Sequence, residues 1–208
     1  TASPGRVRKL VVNADDLGYG EGVNRGIVEA HADGIVTSTT LMVDGPAAEH
    51  GVRLAAAYPR LGVGLHAVVD DVEPERLEGE LERQPRRRHE LVGRAPTRVD
   101  SHHRRHREPK RRALFEAFAD RHGLPMRDRD LPHVRGFYGA QAVTVERLLA
   151  LLGSIESDAS ELGCHPGYAD GLRSVYTTER ELALRTLTDT RVRRCVDVLG
   201  LELVPWAP

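Results

Sequence analysis

Short β-prone apolar runs alternate with helical patterns along this chain, and that alternation limits the folds open to it. Runs at 9–13, 35–43, 61–69, 97–101, 123–127 and 159–168, with a last one at 202–205, read as strands. Segments 21–33, 46–58, 73–94, 109–122, 143–153 and 178–199 carry helical spacing, and 128–139 reads as irregular. Strand, helix, strand in regular order predicts an α/β fold, a mainly parallel sheet with helices outside. In such folds the functional site lies at the carboxyl ends of the strands. A length of 208 residues fits one domain, with 1–8 as a loose leader.

The predicted strand ends collect polar residues. Asp15 and Asp16 close the first, His66 lies near the end of the third, His102 follows the fourth, and His165 halts before Pro166. Each has an ordinary reading: an Asp-rich turn, a satisfied core histidine, the start of a solvated basic run. Their arrival at one edge is harder to explain by chance. The stretch 97–106 adds Asp100, Ser101, His103 and His106. If the strand runs through His102, Asp100 and His102 share a face, and a helical turn after it lays His106 over the same spot. Adjacent carboxylates on a strand point apart, so one of Asp15 and Asp16 is expected to ligate while the other takes a proton. Two such carboxylates are expensive to bury without a cation or hydrogen bonds.

Composition excludes more than it identifies. Apolar residues make up 40% and charged residues 29%, with a net charge of −1, so nothing biases the chain toward nucleic acid or anionic membrane. No apolar run reaches membrane-span length, and there is no signal-peptide pattern. Cys164 and Cys195 lack metal or redox spacing, which points to free thiols and a cytoplasmic protein. No nucleotide loop or covalent-nucleophile motif is present. A carboxylate with imidazoles suits a catalytic divalent metal, a second carboxylate suits a general base, and a separate histidine suits a general acid. A metal-dependent amidohydrolase, a phosphoesterase-like metal hydrolase favoured by nearby arginines, and a non-catalytic binding protein all remain open on these residues.

The motifs together resemble the YdjC/ChbG carbohydrate deacetylases. The matching pieces are Val12-Asn-Ala-Asp-Asp-Leu-Gly18, Gly22-Val-Asn-Arg-Gly-Ile27, Gly34-Ile-Val-Thr-Ser-Thr-Thr40, Gly62-Val-Gly-Leu-His66, Pro96-Thr-Arg-Val-Asp-Ser-His-His103 with His106, Phe137-Tyr-Gly139 and Cys164-His-Pro-Gly-Tyr168. The resemblance implies a distorted (β/α) barrel related to polysaccharide deacetylases. It implies hydrolysis of an N-acetyl group from an amino sugar. It implies a divalent metal, Mg²⁺ by the family's usual description, although two imidazoles also fit Zn²⁺. Asp16, His66 and His102 would hold it, Asp15 would activate the water there, and His165 would protonate the departing amine. Arg127, or equally Arg129, would orient Asp15. His103, His106, Tyr138 and Tyr168 would stand at the sugar or behind the ligands. A homodimer is compatible with the resemblance.

The chain also departs from the family pattern. Residues 67–71 replace a Thr-containing stretch, and the segment from His66 to His102 is short. Arg104 and Arg105 bring positive charge to the site.

Overall fold

The computed structural model describes residues 7–172 and 174–206. Most of the expected leader lies outside the described residues. Seven parallel strands form one sheet: β1 (Arg8–Leu17), β2 (Ser38–Leu41), β3 (Gly62–Ala67), β4 (Val99–Ser101), β5 (His133–Val134), β6 (Ala159–Cys164) and β7 (Leu201–Leu203). Their order is β4-β3-β2-β1-β6-β5, with β7 also on β1. The helices are α1 (Glu21–Ala32), α2 (Ala48–Ala56), α3 (Pro74–Val92), α4 (Pro109–His122), α5 (Val145–Gly153), α6 (Thr178–Leu187) and α7 (Thr190–Val198).

β1 is the centre because it can be buried on both faces: every residue from Leu10 to Leu17 is buried. β6 pairs with Lys9 to Ala14 of β1, while β7 takes Arg8 to Leu10 and β2 takes Asn13 to Leu17. The sheet edges, β4 and β5, do not pair with each other. Met126 bridges to Val99 of β4, and only 127–132 separate it from β5. Side chains cross the same gap, since Arg98 Nη1 donates to Glu161 of β6 at 2.8 Å. The result is a distorted, incompletely laddered (β/α) barrel. No helix among the described residues is long and apolar enough to cross a membrane.

Three expectations need correction. Residues 123–127 form no strand, because Gly123 takes a left-handed φ of 61° and the Met126 amide donates to Asp130 Oδ2 at 2.6 Å instead of joining a ladder. The edge strand falls at β5, inside the stretch expected to be irregular. The last helix is two: Thr188 Oγ1 bonds back to Leu184 O at 2.9 Å, and Asp189 caps α7 by accepting from the Arg191 amide at 2.8 Å.

α1 shows how tightly helices dock on the sheet. Val23, Ile27 and Ala30 form its buried stripe. A Cβ at Gly26 would lie 2.5 Å from Gly167 Cα, a backbone atom that cannot swing aside. Gly79, on the exposed face of α3, has nothing within 4 Å. Gly26→Ala is therefore expected to cost about 1–3 kcal/mol in urea denaturation, whereas Gly79→Ala gains about 0.5–1 kcal/mol from helix propensity. Equal shifts for the two would contradict this packing.

Candidate active site

The carboxyl end of β1 is distorted in a way its sequence did not advertise. Ala14 pairs with Thr39 and Leu17 with Leu41, so Asp15 and Asp16 together face the single residue Thr40. This is a β-bulge. Asp16 takes φ +75°, a conformation costing an L-residue about 1–3 kcal/mol. The bulge corrects the expectation that the two carboxylates diverge. Both are buried, at 4% and 2% exposure, and both line one cavity of about 370 Å³.

Asp15 is clamped by Arg127, Nη1 to Oδ2 at 2.5 Å and Nη2 to Oδ1 at 2.7 Å, and Asn13 Nδ2 donates to Oδ1 at 2.8 Å. Burial works against the charge on Asp15, but the Arg127 guanidinium outweighs it and holds the pKa at about 2. Arg127 also donates through Nε to Glu161 Oε1 at 2.8 Å and lies 3.0 Å from Asp100 Oδ2. Arg129 faces away, toward Asp120 and Asp130. The choice left open between the two arginines thus falls to Arg127.

Asp16 has two different sides. Its Oδ2 accepts from Arg180 Nη2 at 2.7 Å, while its Oδ1 is buried, has no hydrogen-bond partner and lies 3.2 Å from His66 Nε2. Burial raises its pKa, but His66 and Arg180 together hold it well below the usual carboxylate range. His66 Nδ1 donates to Asp100 Oδ1 at 2.6 Å, and His102 Nδ1 donates to Asp70 Oδ2 at 2.9 Å. Each imidazole thus gives its Nδ1 to a carboxylate, the arrangement that leaves Nε2 free as a ligand. Burial lowers the pKa of His66, yet Asp100 and Asp16 push it up to about 10.

An orphaned Asp16 oxygen and two Nδ1-anchored imidazoles form a donor set that fits a divalent metal. The groups whose three donor atoms lie within 4.8 Å of one another are different ones among the described residues: Asp15, His66 and Asp100, and Asp70, His102 and His103. Arg98 and Arg127 already neutralise the first, and Arg105 Nε sits 2.8 Å from Asp70 in the second. The His102 ring centroid lies 5.8 Å from that of His66.

His165 Nε2 lies 3.7 Å from Asp15 Oδ2, and its buried Nδ1 has no hydrogen-bond partner. Burial lowers its pKa against the pull of Asp15 and Asp16. Its ring meets Tyr138 and Tyr176 edge-on, with centroids 5.4 and 5.7 Å away, and the two tyrosines stack at 4.8 Å. Tyr19, His102, His103 and Arg104 complete much of the wall. A larger cavity, about 670 Å³, opens at the far end of the sheet near Leu61 and Trp206, but no carboxylate lines it.

Tyr168 lies away from the cavity, and His106 takes the second of its two expected places, behind it. Tyr168 donates to Glu29 Oε2 at 2.6 Å on α1 and does not line the cavity. His106 is fully buried behind it, bonded to Ser101 Oγ at 2.8 Å and 3.3 Å from Asp128 Oδ2. β4 ends at Ser101, and left-handed φ values at His103 and Arg104 break the turn that follows, so neither the shared strand face nor the helical spacing holds. Sequence reasoning missed Arg180, Tyr19, Tyr176, Asp70 and Glu161. Arg180 was detectable, because it shares the buried stripe of α6 with Ala183, Leu184 and Leu187. Glu161 was detectable as a charge inside a predicted central strand.

The family model described as YdjC-like protein matches residues 9–79 and 68–197. The chain belongs to the YdjC-like family. A carbohydrate deacetylase of Geobacillus stearothermophilus is 36% identical, over 96% of this chain and 97% of its own. That alignment spans 238 positions against 208 residues here, so the relative carries residues this YdjC-like chain lacks. A chitooligosaccharide deacetylase of Serratia marcescens is 33% identical, over 93% of this chain and 96% of its own. A crystal structure from Enterococcus faecalis V583, whose name refers to cellobiose-phosphate cleavage, superposes with TM-score 0.88 at 25% identity, covering 96% of this chain and 98% of that one. The two family-model segments meet at 68–79, inside the short span between His66 and His102.

In this YdjC-like site, Arg127→Ala strands Asp15, Asp100 and Glu161 with too little positive charge. It is expected to cost about 3–5 kcal/mol in chemical denaturation. Arg129→Ala, at an exposed pair, should stay within about 0.5 kcal/mol. Similar losses for both would show that Arg127 does not carry the cluster.

Proposed function

We propose that this chain is a divalent-metal-dependent deacetylase that hydrolyses the N-acetyl amide of an amino sugar or short oligosaccharide. The observation that carries this reading is the bulge at Asp15 and Asp16. It aims two buried carboxylates into one cavity, one charge-locked by Arg127 and the other offering a bare oxygen beside His66. Relatives named as carbohydrate and chitooligosaccharide deacetylases support the reaction class.

Asp16, His66 and His102 hold the metal in this reading; one carboxylate and two imidazoles suit Zn²⁺ at least as well as the Mg²⁺ implied by resemblance. When bound, the metal acidifies a water and polarises the acetyl carbonyl. Asp15 takes the proton of the attacking water. Arg127 keeps Asp15 ionised and fixes its orientation. His165, with Nε2 3.7 Å from Asp15 Oδ2, donates a proton to the departing amine. Tyr138 and Tyr176, stacked on each other, form an aromatic wall of the cavity against which the sugar packs.

Acetate release from N-acetylated amino-sugar oligomers is the direct assay. Activity should disappear with chelator and return with added metal. Asp15→Asn should lower kcat by about 10²–10⁴-fold while metal still binds, and His102→Ala should lose the metal. Full activity in chelated protein, or hydrolysis of phosphomonoesters with N-acetyl sugars untouched, would overturn the reading.

A further inference from the structure

We propose that Asp70 is a positioning residue that sets the tautomer and orientation of His102 for metal binding. This rests on the metal reading above. Asp70 lies in the loop between β3 and α3. Each of its oxygens has a defined task. Oδ2 accepts from His102 Nδ1 at 2.9 Å, and Oδ1 accepts from His103 Nδ1 at 2.8 Å and Arg105 Nε at 2.8 Å. A neutral imidazole that donates through Nδ1 keeps its lone pair on Nε2. Asp70 therefore does for His102 what Asp100 does for His66.

The loop that presents Asp70 is pinned on both sides. Gln84 of α3 accepts from the Val68 amide at 3.0 Å and donates to its carbonyl at 2.8 Å. Arg111 of α4 donates to the carbonyls of Val69 and, at 2.8 Å, Val72. The carboxylate is thus held by two helices before any ligand arrives. The His103 ring lies against that of His102, tilted by 37° with centroids 3.7 Å apart, and Asp70 binds Nδ1 of both. Arg105 argues against a separate metal on this trio, because its fixed charge already occupies Asp70 Oδ1.

Two readouts test the assignment: Zn²⁺ titration by calorimetry, and ¹⁵N NMR of histidine tautomers in metal-free protein. Wild-type His102 should show the Nδ1–H form and bind one Zn²⁺. Asp70→Asn should weaken Zn²⁺ binding about 10–100-fold and lose the uniform Nδ1–H signature at His102. Arg105→Gln, which loosens the same loop without touching the imidazole, should leave both near wild type. Unchanged affinity in Asp70→Asn, equal losses in both variants, or a second Zn²⁺ equivalent that vanishes with Asp70 would each overturn the proposal. Wild-type protein that binds no Zn²⁺ at all would overturn the metal reading itself, and that outcome is seen before any substitution is made.

Discussion

Arg127 stands among three buried carboxylates, and the site depends on that placement. It binds Asp15 through both terminal nitrogens, Glu161 through Nε, and approaches Asp100, which in turn holds His66. Arg98, just before β4, closes the network with bonds to Asp100 and Glu161. The interior of this barrel near its carboxyl end is therefore ionic rather than aliphatic. Such a core contributes little net stability, because desolvation offsets most of the attraction. What it provides is fixed geometry, since each charge is costly to leave unpaired and so cannot drift.

That rigidity explains how the chain maintains a strained aspartate. The positive φ of Asp16 is unfavourable for any residue with a Cβ, and the surrounding bonds over-determine it. Arg180 holds one oxygen of Asp16, the Tyr19 amide bonds its carbonyl at 3.0 Å, and Leu17 resumes pairing with β2. The bulge turns a period-two strand, which would separate adjacent side chains, into a device that aims two carboxylates the same way. A similar economy appears after β4, where left-handed His103 and Arg104 redirect the chain so that His102 faces the cavity while His106 turns inward.

Much of this was legible in the sequence, and the rest was hidden for identifiable reasons. Strand and helix alternation gave the parallel sheet, and the strand ends gave Asp15, Asp16, His66, His102 and His165, all of which line the same cavity. Local patterns carry that information. The bulge does not follow from local pattern, because it is defined only by the register against β2. Arg127 reaches Asp15 across 112 residues, and no spacing rule could have preferred it to Arg129. Tyr168 was misplaced because its motif runs past the strand end, where the chain turns outward to Glu29. The break between α6 and α7 rests on a single capping aspartate inside an otherwise continuous helical pattern. The bonds of Asp70 to His102 and His103 depend on the turn after β4 folding back over the β3–α3 loop, which no local pattern announces.

The central claim is that Asp16, His66 and His102 converge on one cation. Anomalous scattering from crystals of the protein grown with Zn²⁺ measures it most directly. The account predicts one strong peak about 2.0–2.2 Å from a carboxylate oxygen of Asp16 and from Nε2 of both histidines. A peak seated instead on Asp70 and His103, or no peak in protein that still releases acetate, would contradict it.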